Sequence, residues 1–361
     1  MRLLTALLAL AMLLGAVSSA PAADPNAAFN ALVAAAKAEG SLVVNGPPSD
    51  AVRDAVTTGF ERAYGITVSY LGTPSSEAAA RLRAERASGK YLLDVALSGS
   101  DTPVLTFLPN GWLDRIEPAL IEPDVINKKD WKDGHIWYVD PQHTIIRVLQ
   151  DVQPELAINT KLVSPKEIPT WKSLLDPKWK GKLLAKDPTS GSSGQSLTSF
   201  LYVTFGGDFI RKLYKDQSPT LEANPRQGAQ FLAQGNYGVW VGCDFSQLEP
   251  FIKQGYPIEA VEPSDGPGIL SGEFGMINLM NKAPHPNAAK LFVNWIASKE
   301  GLTLFARAEQ AASLRTDVDP TWMMAAQLPR PGRKYYDEYD YNYIKNVRAT
   351  ALAKVQDILG F

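Results

Sequence analysis

The chain has 361 residues, too many for one compact core and about right for two lobes. Apolar residues make up 45% and charged residues 20%, the balance of a globular protein. A formal net charge of −2 gives no sign of the concentrated basic face that nucleic-acid or membrane-surface binding needs.

Met1-Arg2 precedes an apolar run over residues 3–17, and Ala20-Pro21-Ala22 offers a cleavage site. Residues 1–22 therefore read as a secretory signal peptide, too short for a stable membrane span and cleaved near Ala22. The mature protein is expected to be soluble and exported. Cys243 is the only cysteine, so no intrachain disulfide forms. Within VWVGC it reads as a small buried hydrophobe.

The first lobe begins with a helix in AAFNALVAAAKAEGS, ending at Gly40, and a strand in SLVVNG. A second helix, AVRDAVTTGFERAYG, closes at Gly65, and ITVSYLGT is the next strand. SSEAAARLRAERASG is a helix with a capping-box start at Ser75 or Ser76, followed by a strand in LLDVALSG. This alternation predicts an α/β layer with a parallel sheet. A second α/β layer is expected from about residue 183 to 263, then a strand in EFGMINLM and one long helix in PNAAKLFVNWIASKEG. Extended crossings near residues 140 and 270 imply a two-strand hinge beneath a cleft. Lobe one is expected over 23–140 and 270–300, and lobe two over 141–269. Residues 301–361 are expected to form a C-terminal helical segment packing on both lobes.

In an open α/β sheet, ligands sit beyond the carboxyl ends of the strands, where helix N-termini attract anions. Four strand-to-helix turns carry suitable residues: Gly46-Pro47-Pro48-Ser49, Gly72-Thr73-Pro74-Ser75-Ser76, Ser98-Gly99-Ser100-Asp101 and Thr189-Ser190-Gly191-Ser192-Ser193. From them, Ser49, Ser76, Ser98, Ser190, Gly191 and Ser192 are the leading ligand-binding candidates. The same serines would serve equally as plain helix caps. Asp244 and Glu273 are added because an acid suits a ligand's amine or hydroxyls, and Arg147 as a clamp for carboxylate or phosphate.

Enzyme signatures are missing: the chain has no HExxH, GxxxxGK[ST] or GxGxxG, and GSSGQ breaks the GxSxG pattern at Gln195. No catalytic residue, metal site or cofactor is expected. The tyrosine-rich YYDEYDYNY raises the question of a ferric site, but its alternating charges read better as a solvated face.

FERAYGITVSYLGTPSSEAAARLRAERASGKYLLDVALSGSD, INTKLVSPKEIPTWKSLLDPKWKGKLLAKDPTSGSSG and APHPNAAKLFVNWIASKEG resemble the extracellular solute-binding proteins of ABC importers, in the branch that includes the ferric-iron-binding proteins. The resemblance implies a type II periplasmic binding fold: two α/β lobes, a two-strand hinge, and closure on a ligand delivered to a membrane permease. Iron-binding members carry adjacent tyrosines after a segment like GNYGVWVG. Here Cys243-Asp244-Phe245-Ser246 stands in that place, and Tyr335-Tyr336 comes far later. The expected ligand is therefore a small polar or anionic organic solute of phosphorylated, phosphonate or carboxylate type, bound by a monomer. The alternatives are a metal ion held by Tyr335, Tyr336 and an acid, and an exported serine hydrolase using Ser192 or Ser193.

Overall fold

The computed structural model describes residues 25–190 and 193–361. The signal-peptide expectation for residues 1–22, and the candidates Gly191 and Ser192, lie outside the described residues. In chain order the strands are β1 (Ser41–Gly46), β2 (Thr67–Gly72), β3 (Val95–Ser98), β4 (Ile145–Arg147), β5 (Asp151–Gln153), β6 (Leu156–Asn159) and β7 (Leu183–Lys186). They continue with β8 (Thr220–Glu222), β9 (Val239–Val241), β10 (Ile258–Ala260), β11 (Gly268–Ser271), β12 (Met276–Leu279) and β13 (Tyr335–Asp337). One sheet has the order β2-β1-β3-β12-β4, a second β10-β6-β9-β7-β8, and a third β13-β11-β5. The first two sheets are the lobes. Among the described residues, no helix is long and apolar enough to cross a membrane.

Lobe one follows its local signals closely. Ser49 caps the helix Asp50–Tyr64 by accepting a hydrogen bond from the Val52 amide at 3.3 Å. Gly65 ends that helix in the left-handed conformation, φ 71°. Val52, Val56 and Phe60 recur every fourth residue and are fully buried. Phe60 meets Trp295 edge-on, with ring centroids 5.4 Å apart. Trp295 lies on the helix Pro286–Ala297. The single long helix expected there is two. Ser298 turns extended (φ −70°, ψ 164°) and caps a new helix, Lys299–Glu309, through the Gly301 amide. The Gly301 α-carbon packs so tightly that a Cβ would lie 2.0 Å from the Trp295 carbonyl oxygen.

The lobe-two core lies beneath the helix Ser193–Phe205, whose Leu197, Phe200 and Leu201 pack with Trp171 and Leu183. The third sheet is the connection between lobes. β5 leaves lobe one, and β11 returns antiparallel beside it. The first crossing thus falls at 151–153, not near residue 140, because β4 pairs with β12 inside the lobe-one sheet. β13 adds a third crossing strand parallel to β11, where the sequence had predicted two. It comes from YYDEYDYNY, whose alternating charges predict a solvated face. Tyr339, Tyr343 and Glu338 are instead buried. The C-terminal helix Ala349–Leu359 then packs on lobe two, with Val355 in its core.

Arg147 fastens this hinge. Its guanidinium donates to both Asp337 carboxylate oxygens at 2.7 Å, to the Leu149 carbonyl at 3.0 Å and to the Ser271 carbonyl at 2.9 Å. It also lies 4.4 Å from the centre of the Tyr339 ring. One buried cation thereby joins the segment after β4 to β11 and β13.

Candidate functional site

A cleft of about 760 Å³ opens between the lobes over the crossing strands. Lobe one supplies a wall from Pro74, Ser75 and Ser76 at the start of the helix Ser75–Ala87, and from residues 99–102 beyond β3. The expected capping box at Ser75 does not form: the cap is Pro74, without a side-chain bond. Ser75 Oγ instead accepts from the Gly99 amide at 3.2 Å, so one turn braces the other.

Lobe two supplies Lys186, Ser193, Ser196 and residues 242–246. Asp244 caps the helix Phe245–Lys253 and accepts from Ser246 Oγ at 2.6 Å. Gly242 has φ 73°, and a Cβ there would lie 2.5 Å from Leu197 and 2.8 Å from Lys186. Only glycine lets this turn pass so close to the neighbouring helix. Lys186 is buried, 5% exposed, at the end of β7.

The floor is acidic. Among the described lining residues are seven carboxylates, Asp101, Asp151, Glu155, Asp244, Glu273, Glu309 and Glu338, and two cations, Lys186 and Arg348. Burial pushes the Asp151 carboxyl up to about 7 against the pull of Arg147. Burial and then Glu338 push Glu155 up to about 8, with Lys186 opposing. Burial, and to a lesser degree the Asp151 charge, carry Glu309 to about 7 against the hydrogen bond from the Phe274 amide. Burial, and after it the Asp151 charge, hold Glu273 well above the usual carboxylate range. Glu273 also has φ 44°, a left-handed conformation that costs a non-glycine residue energy and clusters at functional sites. Its carbonyl accepts the Tyr339 hydroxyl. Glu338 accepts Ser196 Oγ from lobe two, while Arg348 ion-pairs with Asp101 of lobe one at 2.8 Å. The tail thus grips both walls.

Of the sequence candidates, Ser76, Asp244 and Glu273 line the cleft. Ser49 is engaged as a helix cap and does not line it. Ser98 is fully buried with an unpartnered Oγ, behind the lobe-one wall. Ser190 turns its hydroxyl back to the Asp187 carbonyl at 2.6 Å. Arg147 lies beneath the floor with its donors committed to the hinge, which leaves no geometry for the expected anion clamp. Sequence reading missed Asp151, Glu155, Glu309 and Glu338; each is far in sequence from the turns it faces, and only the crossing strands bring them together.

The tyrosine-held metal meets a geometric obstacle. Tyr335 and Tyr336 are consecutive on β13, so their side chains point to opposite faces. Tyr335 accepts from the Arg330 amide at 2.8 Å, and Tyr336 packs edge-on against Tyr343. A Ser–His–Asp chain does exist, Ser41 Oγ to His285 Nε2 at 2.9 Å and His285 Nδ1 to Asp94 at 2.8 Å. It sits at the amino end of β1, whereas the cleft lies beyond the carboxyl ends of the strands. It pins β1 to the start of the helix Pro286–Ala297, where His285 is the cap residue.

Two α/β lobes with strands crossing beneath a polar cleft define a type II periplasmic binding fold. Residues 41–308 match the model of the bacterial extracellular solute-binding proteins, and the chain belongs to that family. A Haemophilus influenzae protein described only as uncharacterized is 28% identical over 335 residues, covering 87% of this chain and 89% of that protein. Among solved structures, AfuA from Actinobacillus pleuropneumoniae, with fructose-6-phosphate bound, is 20% identical with a TM-score of 0.66, covering 89% of this chain and 99% of that one. Iron-bound HitA from Pseudomonas aeruginosa is 18% identical with a TM-score of 0.68, covering 88% and 99%. Both likenesses concern the fold.

Proposed function

We propose that this protein captures a small polar organic solute in the cleft by closing its lobes, and delivers it to the permease of an ABC importer. The reading rests above all on one observation: hydroxyls and helix starts from both lobes face a single cleft above three crossing strands. A solute that bridges the walls completes its contacts only on closure, so it stabilises the closed state. The helix starts at Ser75 and Phe245, with Lys186 beside them, offer positive partial and full charge to an anionic group. The floor carboxylates accept hydroxyl or amine donors from the rest of the solute. A purely anionic ligand, such as inorganic phosphate, would face the carboxylates without offset. The solute therefore pairs an anionic or polar end with a hydrogen-bond-donating end. Delivery to a permease from the periplasm follows from family membership, and the protein acts as a monomer.

The test is a thermal-shift screen of phosphorylated sugars, phosphonates, amino compounds, organic acids and metal ions. A true ligand at a hundredfold excess over its dissociation constant stabilises the folded state by about 2.7 kcal/mol. Ser76→Ala combined with Asp244→Ala should abolish that shift. A shift that survives both substitutions places the ligand elsewhere.

A further inference from the structure

We propose that the solute carries a cationic nitrogen, an ammonium or amidinium group, seated on the floor among Asp151, Glu155 and Glu273. The inference rests on the reading of the cleft as a solute site and deepens it.

The cations within reach do not neutralise the floor. Arg147 lies below and spends its bidentate pair on Asp337. Arg348 pairs with Asp101 at the lobe-one wall. Lys186 faces Glu155 from lobe two and can offset one charge among the floor acids. Glu309 and Glu338 press on the same space and add to the excess. Asp151 is the independent sign of a missing partner. Its side chain is 3% exposed, it lines the cleft, and its Oδ1 has no hydrogen-bond partner. A buried acceptor left empty carries a desolvation cost that a donor from the solute would remove.

A hydroxyl would fill that acceptor but could not keep these acids ionised against their burial and mutual repulsion. An ammonium supplies both donors and charge, and charge-assisted bonds are roughly twice as strong as neutral ones. A bare metal ion fits less well. Among the described residues, the one group of acids whose oxygens all lie within 4.8 Å of each other is Asp124, Asp130 and Asp317, which lies outside the cleft and already surrounds Arg315. The floor carboxylates are spread more widely, as an organic cation with several N–H donors requires.

Matched pairs separate charge from shape: ethanolamine phosphate against glycol phosphate, glucosamine phosphate against glucose phosphate, and putrescine against butanediol. Calorimetry should find at least one amine that binds about tenfold or more tighter than its hydroxyl partner. Its binding at neutral pH should release protons, so the measured heat should change between phosphate and Tris buffers. Asp151→Asn and, separately, Glu273→Gln should each erase the preference without lowering the melting temperature of the free protein. Hydroxyl members that bind as tightly as their amines, or alone, overturn the cationic group while the solute site stands. If no member of any pair binds, and Ser76→Ala with Asp244→Ala changes no response in the wider screen, both readings fall.

Discussion

The walls of the cleft and its floor are built from different parts of the chain and carry opposite chemistry. Each wall is a set of strand-to-helix turns, with serine hydroxyls, backbone N–H groups and glycines that permit close approach. The floor is made where β5, β11 and β13 end, and it is lined by carboxylates that burial and mutual repulsion keep above their usual range. Walls of this kind suit many polar ligands; the floor narrows the choice. On the proposed reading, selectivity resides at the hinge, beneath the cleft that the lobes close.

The largest expected effect breaks the floor's support. Arg147→Met removes the cation from a buried pair and leaves Asp337 without its partner, at a cost of about 3 kcal/mol of stability. Chemical denaturation measures it, and a loss below about 1 kcal/mol would mean that the crossing strands do not depend on this arginine. Next comes the lobe-two wall. A Cβ on Gly194 would sit 2.1 Å from the Asp187 carbonyl oxygen, so Gly194→Ala should push the Asp187–Ser190 turn aside and cost about 2 kcal/mol. Unchanged stability would show that this turn yields freely.

The two lobe-one serines sharpen the contrast between capping and binding. Ser49→Ala removes a helix cap and should cost about 1 kcal/mol while leaving solute affinity unchanged. Ser76→Ala should do the reverse, weakening binding with little loss of stability. Should Ser49→Ala weaken binding more than Ser76→Ala, the assignment of the wall is wrong. The remaining test is the pH dependence of the free protein. The folded state holds protons on Asp151, Glu155 and Glu309 up to pH about 7 to 8, whereas the unfolded chain releases them near pH 4. The free protein's melting temperature should therefore rise as pH falls from 8 toward 6, and a saturating cationic solute should flatten the trend. A melting temperature that falls over that range would contradict the acidic floor.

The same contrast explains what the sequence could reveal. β1, the helix Asp50–Tyr64 and their Gly40 and Gly65 boundaries are local signals, and they lie where the pattern predicts them. Ser76 and Asp244 reach the cleft because turns at the carboxyl ends of strands point there. Ser49 and Ser190 have the same local signature, yet one caps a helix and the other folds back on Asp187. Nothing in a tetrapeptide separates those fates. The floor was illegible for a stronger reason. Asp151 opens β5, and Glu273 and Glu338 lie just beyond the ends of β11 and β13, three strands that meet only after both lobes have formed; the third lies inside a polar, tyrosine-rich run that reads as surface. Arg147 misled for the same cause: an arginine near a hinge looks like a clamp until its partner, 190 residues away, is in view.

Solute is proposed to bind between the lobes and draw them together over the hinge. Amide hydrogen exchange of the full chain, with and without the solute giving the largest thermal shift, tests it directly. Protection is expected at both walls together, in residues 75–78, 99–102 and 244–247, and along β5 and β11. A second cavity of about 550 Å³ lies on lobe one, between Tyr64, Glu122 and Trp295. Protection confined to that cavity, with the walls and crossing strands unchanged, would show that solute does not bind between the lobes.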